Sequence, residues 1–262
     1  MPVAVINQTT IYYRWSGISD APVLVLAHSL GASQAMWLRQ EQALGERYRL
    51  LLYDQRGHGQ SGTPHGPYSI EQFGMDLIVL LDHFNLTRVH FCGVSLGGMV
   101  GLWLAQKHPH RLSRLIVSNT AARIEDTTLL SSRMRTIEAN GLNAIVNNVL
   151  ERWFSPRFHL MNPDIVEAAR SMLLATPVMG YIATSQAVCE LDLRAGLANI
   201  QSHTLVITGQ QDQATPPSWG RSIADCIPSA RHVSLDAAHL ANVEAADDFN
   251  REVLAFLSSA DE

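Results

Sequence analysis

Gly93-Val94-Ser95-Leu96-Gly97 sets a serine between two glycines, just after the strand-like run Val89-His90-Phe91-Cys92 and just before a helical stretch. Such a turn lifts the hydroxyl out of a sheet, and the glycines relieve crowding in its strained backbone. The Leu96 N–H then stands at a helix start, aimed at negative charge developing beside the serine. A hydroxyl is a weak nucleophile and needs a base, itself oriented by a third group. On a strand–turn–helix elbow the chain order is serine, then Asp or Glu, then His. His239, in Asp236-Ala237-Ala238-His239, is the candidate base, and Asp212, in Gly209-Gln210-Gln211-Asp212, the candidate acid. Each follows a strand-like run, at the end where parallel sheets build their sites. Plainer roles compete: a serine in a glycine-rich turn, a capping or surface histidine, a turn aspartate ahead of Pro216-Pro217. The other place for an acid, after the run 115–117, holds Asn119, which carries no charge, and this favours Asp212. Asp236 reads as a turn residue.

An oxyanion formed at Ser95 needs a second N–H donor. The loop His28-Ser29-Leu30-Gly31 follows the apolar run Val23-Leu24-Val25-Leu26-Ala27 and offers the Leu30 N–H; an ordinary turn is the alternative. His28 reads as a residue that holds this loop by hydrogen bonds rather than as a second base. Gly57-His58-Gly59-Gln60-Ser61-Gly62 is a literal G-x-G-x-x-G, but Thr63-Pro64-His65-Gly66-Pro67 follows at once. A dinucleotide fingerprint must open a helix, which those prolines forbid, so nucleotide binding is excluded and His58 is read as structural. His108-Pro109-His110 has no further ligands nearby, so no metal site is expected. Serine chemistry of this kind needs no cofactor.

The elements that must position these residues alternate. A hairpin is expected around Asn7-Gln8-Thr9-Thr10. Buried strands follow at Val23-Leu24-Val25-Leu26-Ala27, Leu50-Leu51-Leu52-Tyr53, Val89-His90-Phe91-Cys92 and Leu115-Ile116-Val117. Helices are read at 37–44, 71–84 and 99–107. Alternating βαβα units imply an α/β fold, a mostly parallel sheet flanked by helices. The rhythm changes over 121–199, where helices are read at 134–144, 145–153, 163–174 and 181–189 and no buried strand is evident. Strands resume at Thr204-Leu205-Val206-Ile207 and at Arg231-His232-Val233-Ser234-Leu235, and a last helix covers 245–257. The organisation is a core of 1–120 and 200–262 with a helical insertion, 121–199.

Composition is that of a globular protein. The 262 residues are 47% hydrophobic and 16% charged, with 19 Lys+Arg against 24 Asp+Glu, a net charge of -5. That balance suits neither nucleic acid nor an anionic membrane. Cys92, Cys189 and Cys226 are too few and too scattered for a disulfide framework or a zinc site. No basic n-region with an apolar stretch opens the chain, and no run approaches the ~18 apolar residues of a membrane span. The expectation is a cytoplasmic protein; nothing in the sequence specifies an oligomeric state.

With Ser95, Asp212 and His239 in this order, the chain resembles the α/β-hydrolase superfamily over its whole length. The loop His28–Gly31 and Asp54-Gln55-Arg56-Gly57-His58-Gly59-Gln60-Ser61 look like its pattern, with Ser29 a departure where many members carry glycine. Within it the chain is most similar to the 3-oxoadipate enol-lactonases of the β-ketoadipate pathway. Ser118-Asn119-Thr120-Ala121-Ala122-Arg123-Ile124, Arg152-Trp153-Phe154 and Asp212-Gln213-Ala214-Thr215-Pro216 carry that likeness. The resemblance implies an α/β-hydrolase fold with a helical lid inserted. It also implies a small anionic lactone as substrate, an acyl-enzyme on Ser95, and no cofactor. The substrate carboxylate needs a cationic partner. The insertion offers Arg123, Arg133, Arg135, Arg152 and Arg157, of which Arg133 is preferred, and Trp153 would wall the pocket. The same serine, acid and base would equally serve a carboxylesterase, a carbon–carbon bond hydrolase or a cofactor-free perhydrolase. A non-catalytic small-ligand sensor is the remote alternative.

Overall fold

The computed structural model describes residues 2–259. Its sheet is built from β1 (Val3–Ile6), β2 (Thr9–Gly17), β3 (Val23–Ala27), β4 (Arg49–Tyr53), β5 (Val89–Val94), β6 (Leu112–Ser118), β7 (Thr204–Gly209) and β8 (Ala230–Leu235). They run in the order β1-β2-β4-β3-β5-β6-β7-β8. The pair β1–β2 and the pair β2–β4 are antiparallel, and every other neighbouring pair is parallel. Interior strands are apolar without alternation because both faces are covered. Successive side chains of β3 still take opposite sides: Val25 and Ala27 join one core cluster, Leu24 and Leu26 the other.

The first cluster packs against α2 (Ile70–His83) and α3 (Leu96–Lys107), through Phe73, Leu77, Met99 and Val100 among others. The second packs against α1 (Leu38–Gly45) and α11 (Ala246–Ser258), through Leu44, Phe249 and Val253. Each such side chain, fully buried, contributes roughly 1.5–3 kcal/mol. The α2 start is held by a capping box: the Gln72 N–H donates to Ser69 Oγ (3.2 Å), and the Ser69 N–H donates to Gln72 Oε1 (3.1 Å).

Between β6 and β7 the chain is helical: α4 (Thr128–Asn140), α5 (Val146–Trp153), α6 (Pro156–Met161), α7 (Pro163–Leu174) and α8 (Val178–Glu190). The helix expected at 134–144 starts earlier and stops at Asn140, because Gly141 takes φ +71° and ends it. A helix not anticipated, α9 (Pro217–Cys226), begins on the second proline of Pro216-Pro217. Proline ends helices from within but suits their first position, where no intrahelical N–H is required. A short α10 (Ala241–Glu244) leads into α11. Among the described residues no single helix is long and apolar enough to cross a membrane.

Candidate active site

Ser95 joins β5 directly to α3 and sits at φ +56°, ψ -113°. A non-glycine residue in that region is strained by ~1–3 kcal/mol and persists only where its surroundings over-determine it. Here the Ser95 N–H donates to the Ser118 carbonyl (2.9 Å), and Thr120 Oγ1 donates to the Ser95 carbonyl (2.7 Å). The flanking glycines have no room for a side chain. A Cβ on Gly97 would lie 2.2 Å from the Ala27 carbonyl oxygen, and one on Gly93 would lie 2.3 Å from the Gly97 backbone.

The loop after β3 faces this elbow. The Ser29 N–H goes to Met36 Sδ (3.4 Å), the Gly31 N–H to His58 Nε2 (3.1 Å) and the Ala32 N–H to the Ser29 carbonyl (3.1 Å). Among the described residues the Leu30 N–H has no protein acceptor, and neither does the Leu96 N–H at the start of α3. Both residues line the same cavity as Ser95. His28 Nε2 accepts from the Gln55 N–H (2.9 Å) and its Nδ1–H donates to the Ser29 carbonyl (2.8 Å). Both imidazoles are fully buried neutral acceptors: burial pushes His28 down to about 4, and burial with the nearby His28 pushes His58 down to about 3.

Asp212 follows β7 and His239 follows β8. The His239 Nδ1–H donates to Asp212 Oδ2 (2.9 Å), leaving Nε2 as the other nitrogen. Asp212 also accepts from Asn119 Nδ2 (2.9 Å) and Thr215 Oγ1 (2.8 Å) at Oδ2, and from the Ala214 and Thr215 N–H groups (2.7 and 3.0 Å) at Oδ1. Burial works to raise its pKa, but the His239 charge and these donors outweigh it and hold the carboxyl down at about 2. A buried carboxylate held ionised beside an imidazole fixes the orientation and tautomer of the ring.

Ser95 and His239 line one cavity of about 310 Å³. The core supplies the Ser29–Leu30 loop, Leu96 and Met99; α4, α5 and α8 close it with Leu130, Arg133, Val149, Arg152, Trp153 and Tyr181. The volume suits a small organic molecule. The comparisons with known proteins converge on this architecture. Residues 22–246 match the family model of the alpha/beta hydrolase fold. The chain belongs to the α/β-hydrolase family. It is a hydrolase. It is 38% identical to 3-oxoadipate enol-lactonase 2 of Acinetobacter baylyi, over 96% of this chain and 94% of that protein. The crystal structure of the enol-lactonase from Burkholderia xenovorans LB400 superposes with a TM-score of 0.97 at 39% identity, covering 98% of this chain and 100% of that one. A Stutzerimonas stutzeri protein carrying the name carbamate hydrolase RutD is 31% identical over 91% of this chain and 92% of its own.

The hydrolase brings Ser95, Asp212, His239, Leu30, Leu96, Trp153 and Arg133 to one place. Trp153 is buried on α5 and its carbonyl accepts the Leu240 N–H (3.0 Å) just beyond His239. Of the other arginines weighed, Arg152 also lines the cavity. Arg123 pairs with Asp192 on the surface (3.7 Å), Arg135 is exposed, and Arg157 lines a separate depression beside Asp236. The G-x-G-x-x-G segment is a closed loop: Asp54 accepts from the Gln34 and Gln60 N–H groups, and Arg56 forks onto buried Asp76. Sequence reasoning did not foresee the role of Asn119, and it read His58 as structural without naming what it holds. Asn119, at φ +48°, donates to both Asp212 and the Ala238 carbonyl. His58 anchors the loop that carries Leu30. A positive-φ asparagine after a strand has no distinctive sequence signal, and the partner of His58 lies 27 residues away.

Proposed function

We propose that this hydrolase converts 3-oxoadipate enol-lactone to 3-oxoadipate, as a step of aromatic catabolism through the β-ketoadipate pathway in the cytoplasm. The observation that carries the reading is whole-length similarity to proteins named for this activity. Ser95 Oγ attacks the lactone carbonyl while its proton passes to His239 Nε2, with Asp212 orienting the ring and stabilising the imidazolium. The tetrahedral oxyanion lies between the Leu30 and Leu96 N–H groups, where each such donor is worth ~10²–10³ in rate. The ring C–O bond breaks, the enolate takes the proton from His239 and ketonises, and an acyl-enzyme is left on Ser95. Water, deprotonated by His239, releases the acid and restores the serine. Residues 121–199 act as a lid on the core of 1–120 and 200–262, with Trp153 as a wall and Arg133 facing the substrate's carboxylate.

Relatives that carry the name carbamate hydrolase favour a second reading, cleavage of a small carbamate on the same serine. The test is steady-state hydrolysis of the enol-lactone, followed by loss of its ultraviolet absorbance, beside a simple carbamate and a neutral nitrophenyl ester. The lactone is expected to win by orders of magnitude. A lead for the carbamate or the ester would overturn the lactone assignment.

A further inference from the structure

His239 stands on a five-residue connection, 236–240, between β8 and α10. β8 ends the strand order, so among the described residues this connection has a strand neighbour on one side only. From the sheet, Asn119 Nδ2 donates to the Ala238 carbonyl (3.1 Å) and the Gln211 N–H to the Ala237 carbonyl (3.0 Å). The remaining ties come from α10 and the helical insertion. The Leu240 N–H donates to the Trp153 carbonyl (3.0 Å), and the Ala238 N–H donates to Glu244 Oε2 (3.0 Å). Glu244 Oε2 also takes the Ser155 N–H (3.1 Å), and Oε1 takes the Ser155 hydroxyl. Ser155 is buried and caps α6, its Oγ accepting the Phe158 N–H (3.2 Å). One carboxylate therefore ties the residue before His239 to the α5–α6 junction, and the junction itself holds the residue after it. The same stretch reaches the acid: Arg152 Nη2 donates to the Gln213 carbonyl, one residue beyond Asp212.

We propose that Glu244, working with the α5–α6 junction, is a positioning residue for His239, which makes the insertion part of the catalytic apparatus as well as its cover. The inference rests on His239 being the base of the proposed reaction. Ser95 follows β5, three places from β8 in the strand order, so the base reaches it only if residues 236–240 hold one backbone path. A misplacement of about 1 Å at a reacting group costs on the order of 100-fold in rate. Glu244 does not touch the imidazole; it acts through the backbone beside it. The bonding pattern sets what each substitution does. Both N–H donors share Oε2, and the Ser155 hydroxyl can turn from donor to acceptor. Glu244→Gln therefore keeps all three contacts, with its Nε2–H donating to Ser155 Oγ. Glu244→Asp is one methylene too short to bridge Ala238 and Ser155, and Glu244→Ala leaves the Ala238 N–H without its acceptor.

Two readouts on the whole protein decide this. The first is steady-state kinetics of the three variants on the enol-lactone and on a nitrophenyl ester. The second is proton NMR of the free protein, where the His239 Nδ1–H bonded to Asp212 gives a far-downfield signal. Glu244→Ala and Glu244→Asp should lower kcat by roughly 10- to 100-fold on every substrate turned over, with KM changed by less than about 3-fold. Both should broaden or erase the downfield signal at a temperature where circular dichroism shows them folded. Glu244→Gln should restore most of kcat and of the signal. Glu244→Asp serves alone if Glu244→Ala does not fold. A carboxylate that only stabilises the fold would lower Tm and leave kcat and the signal of the folded variants as they were. That result overturns the proposal, as does a glutamine variant no better than the alanine one, or a loss confined to KM or to one substrate. If the ester follows the expected pattern while the enol-lactone is not hydrolysed, the positioning role stands and the lactone assignment falls.

Discussion

Ser95 has a strained backbone, and under the proposed mechanism its hydroxyl is the nucleophile. Ser95→Ala removes only the hydroxyl, so turnover should fall by at least ~10⁴-fold with folding intact; retained activity in purified protein would refute the assignment. Ser95→Gly should abolish turnover as well, yet raise stability over Ser95→Ala by ~1–2 kcal/mol, because glycine accepts φ +56° without strain. Chemical denaturation of the two variants side by side measures that difference. Asn119 is a positioning residue. It supplies one of five donors on Asp212 and, through the Ala238 carbonyl, also holds the chain that carries His239. Asn119→Ala should lower kcat by about 10-fold, the order expected for one lost charge-assisted hydrogen bond, and leave KM nearly unchanged. A loss carried wholly by KM would place Asn119 with the substrate instead.

At the scale of elements, the loop that carries Leu30 is held from beneath by two buried imidazoles. His58 accepts from the Gly31 N–H, and His28 ties the loop to Gln55. Both are held below the ordinary 6.5, at about 3 and about 4, because burial disfavours the imidazolium. The unfolded chain therefore takes up these two protons first on acidification. Their contribution to stability is complete above pH 6.5 and declines as pH falls toward 4, by about 1.4 kcal/mol per pH unit for each histidine. Urea denaturation between pH 7 and pH 4 should show this slope. His58→Gln, which keeps an acceptor but cannot be protonated, should remove about half of it. A slope equal in the two proteins would rule out His58 as a source. Acid should also loosen the Leu30 donor before the chain unfolds as a whole.

For the molecule as a whole, the two ends of the chain are joined through a buried polar network. Gln40 Nε2 donates to the Asn242 carbonyl (2.7 Å) and Asn250 Oδ1 (3.1 Å), and Asn242 Nδ2 donates to the Met36 carbonyl and Gln40 Oε1, both at 3.2 Å. These bonds span more than 200 residues and dock α10 and α11 onto α1. A buried network is worth keeping only when its members stay paired, so removing Gln40 strands several groups at once. Gln40→Leu should cost about 2–4 kcal/mol, seen in calorimetry as a fall in Tm of several degrees within a single transition. Two resolved transitions would show instead that the C-terminal helices unfold separately.

Local grammar determined much of this protein. Apolar runs of four to six residues mark buried strands. The capping box at Ser69 and Gln72 opens α2, and Pro163 and Leu174 bound α7 as their residue types suggest. The G-x-S-x-G turn, and acidic and histidine candidates after later strands, are likewise readable because each depends on a few adjacent residues. What only the tertiary structure decided depends on residues far apart in the chain. The seven arginines of 121–199 look alike in sequence, yet only Arg133 and Arg152 enter the cavity, because the packing of α4 and α5 against α8 and α7 sets which side of each helix turns inward. Asn119 reads as an uncharged gap at a possible acid site, and becomes a donor to Asp212 only when β6 and β7 pair in register. The helix at Pro217–Cys226 escaped notice because proline has opposite meanings inside a helix and at its first turn. Which meaning applies was settled by packing of α9 on β7 and β8, contacts that no neighbouring residue encodes.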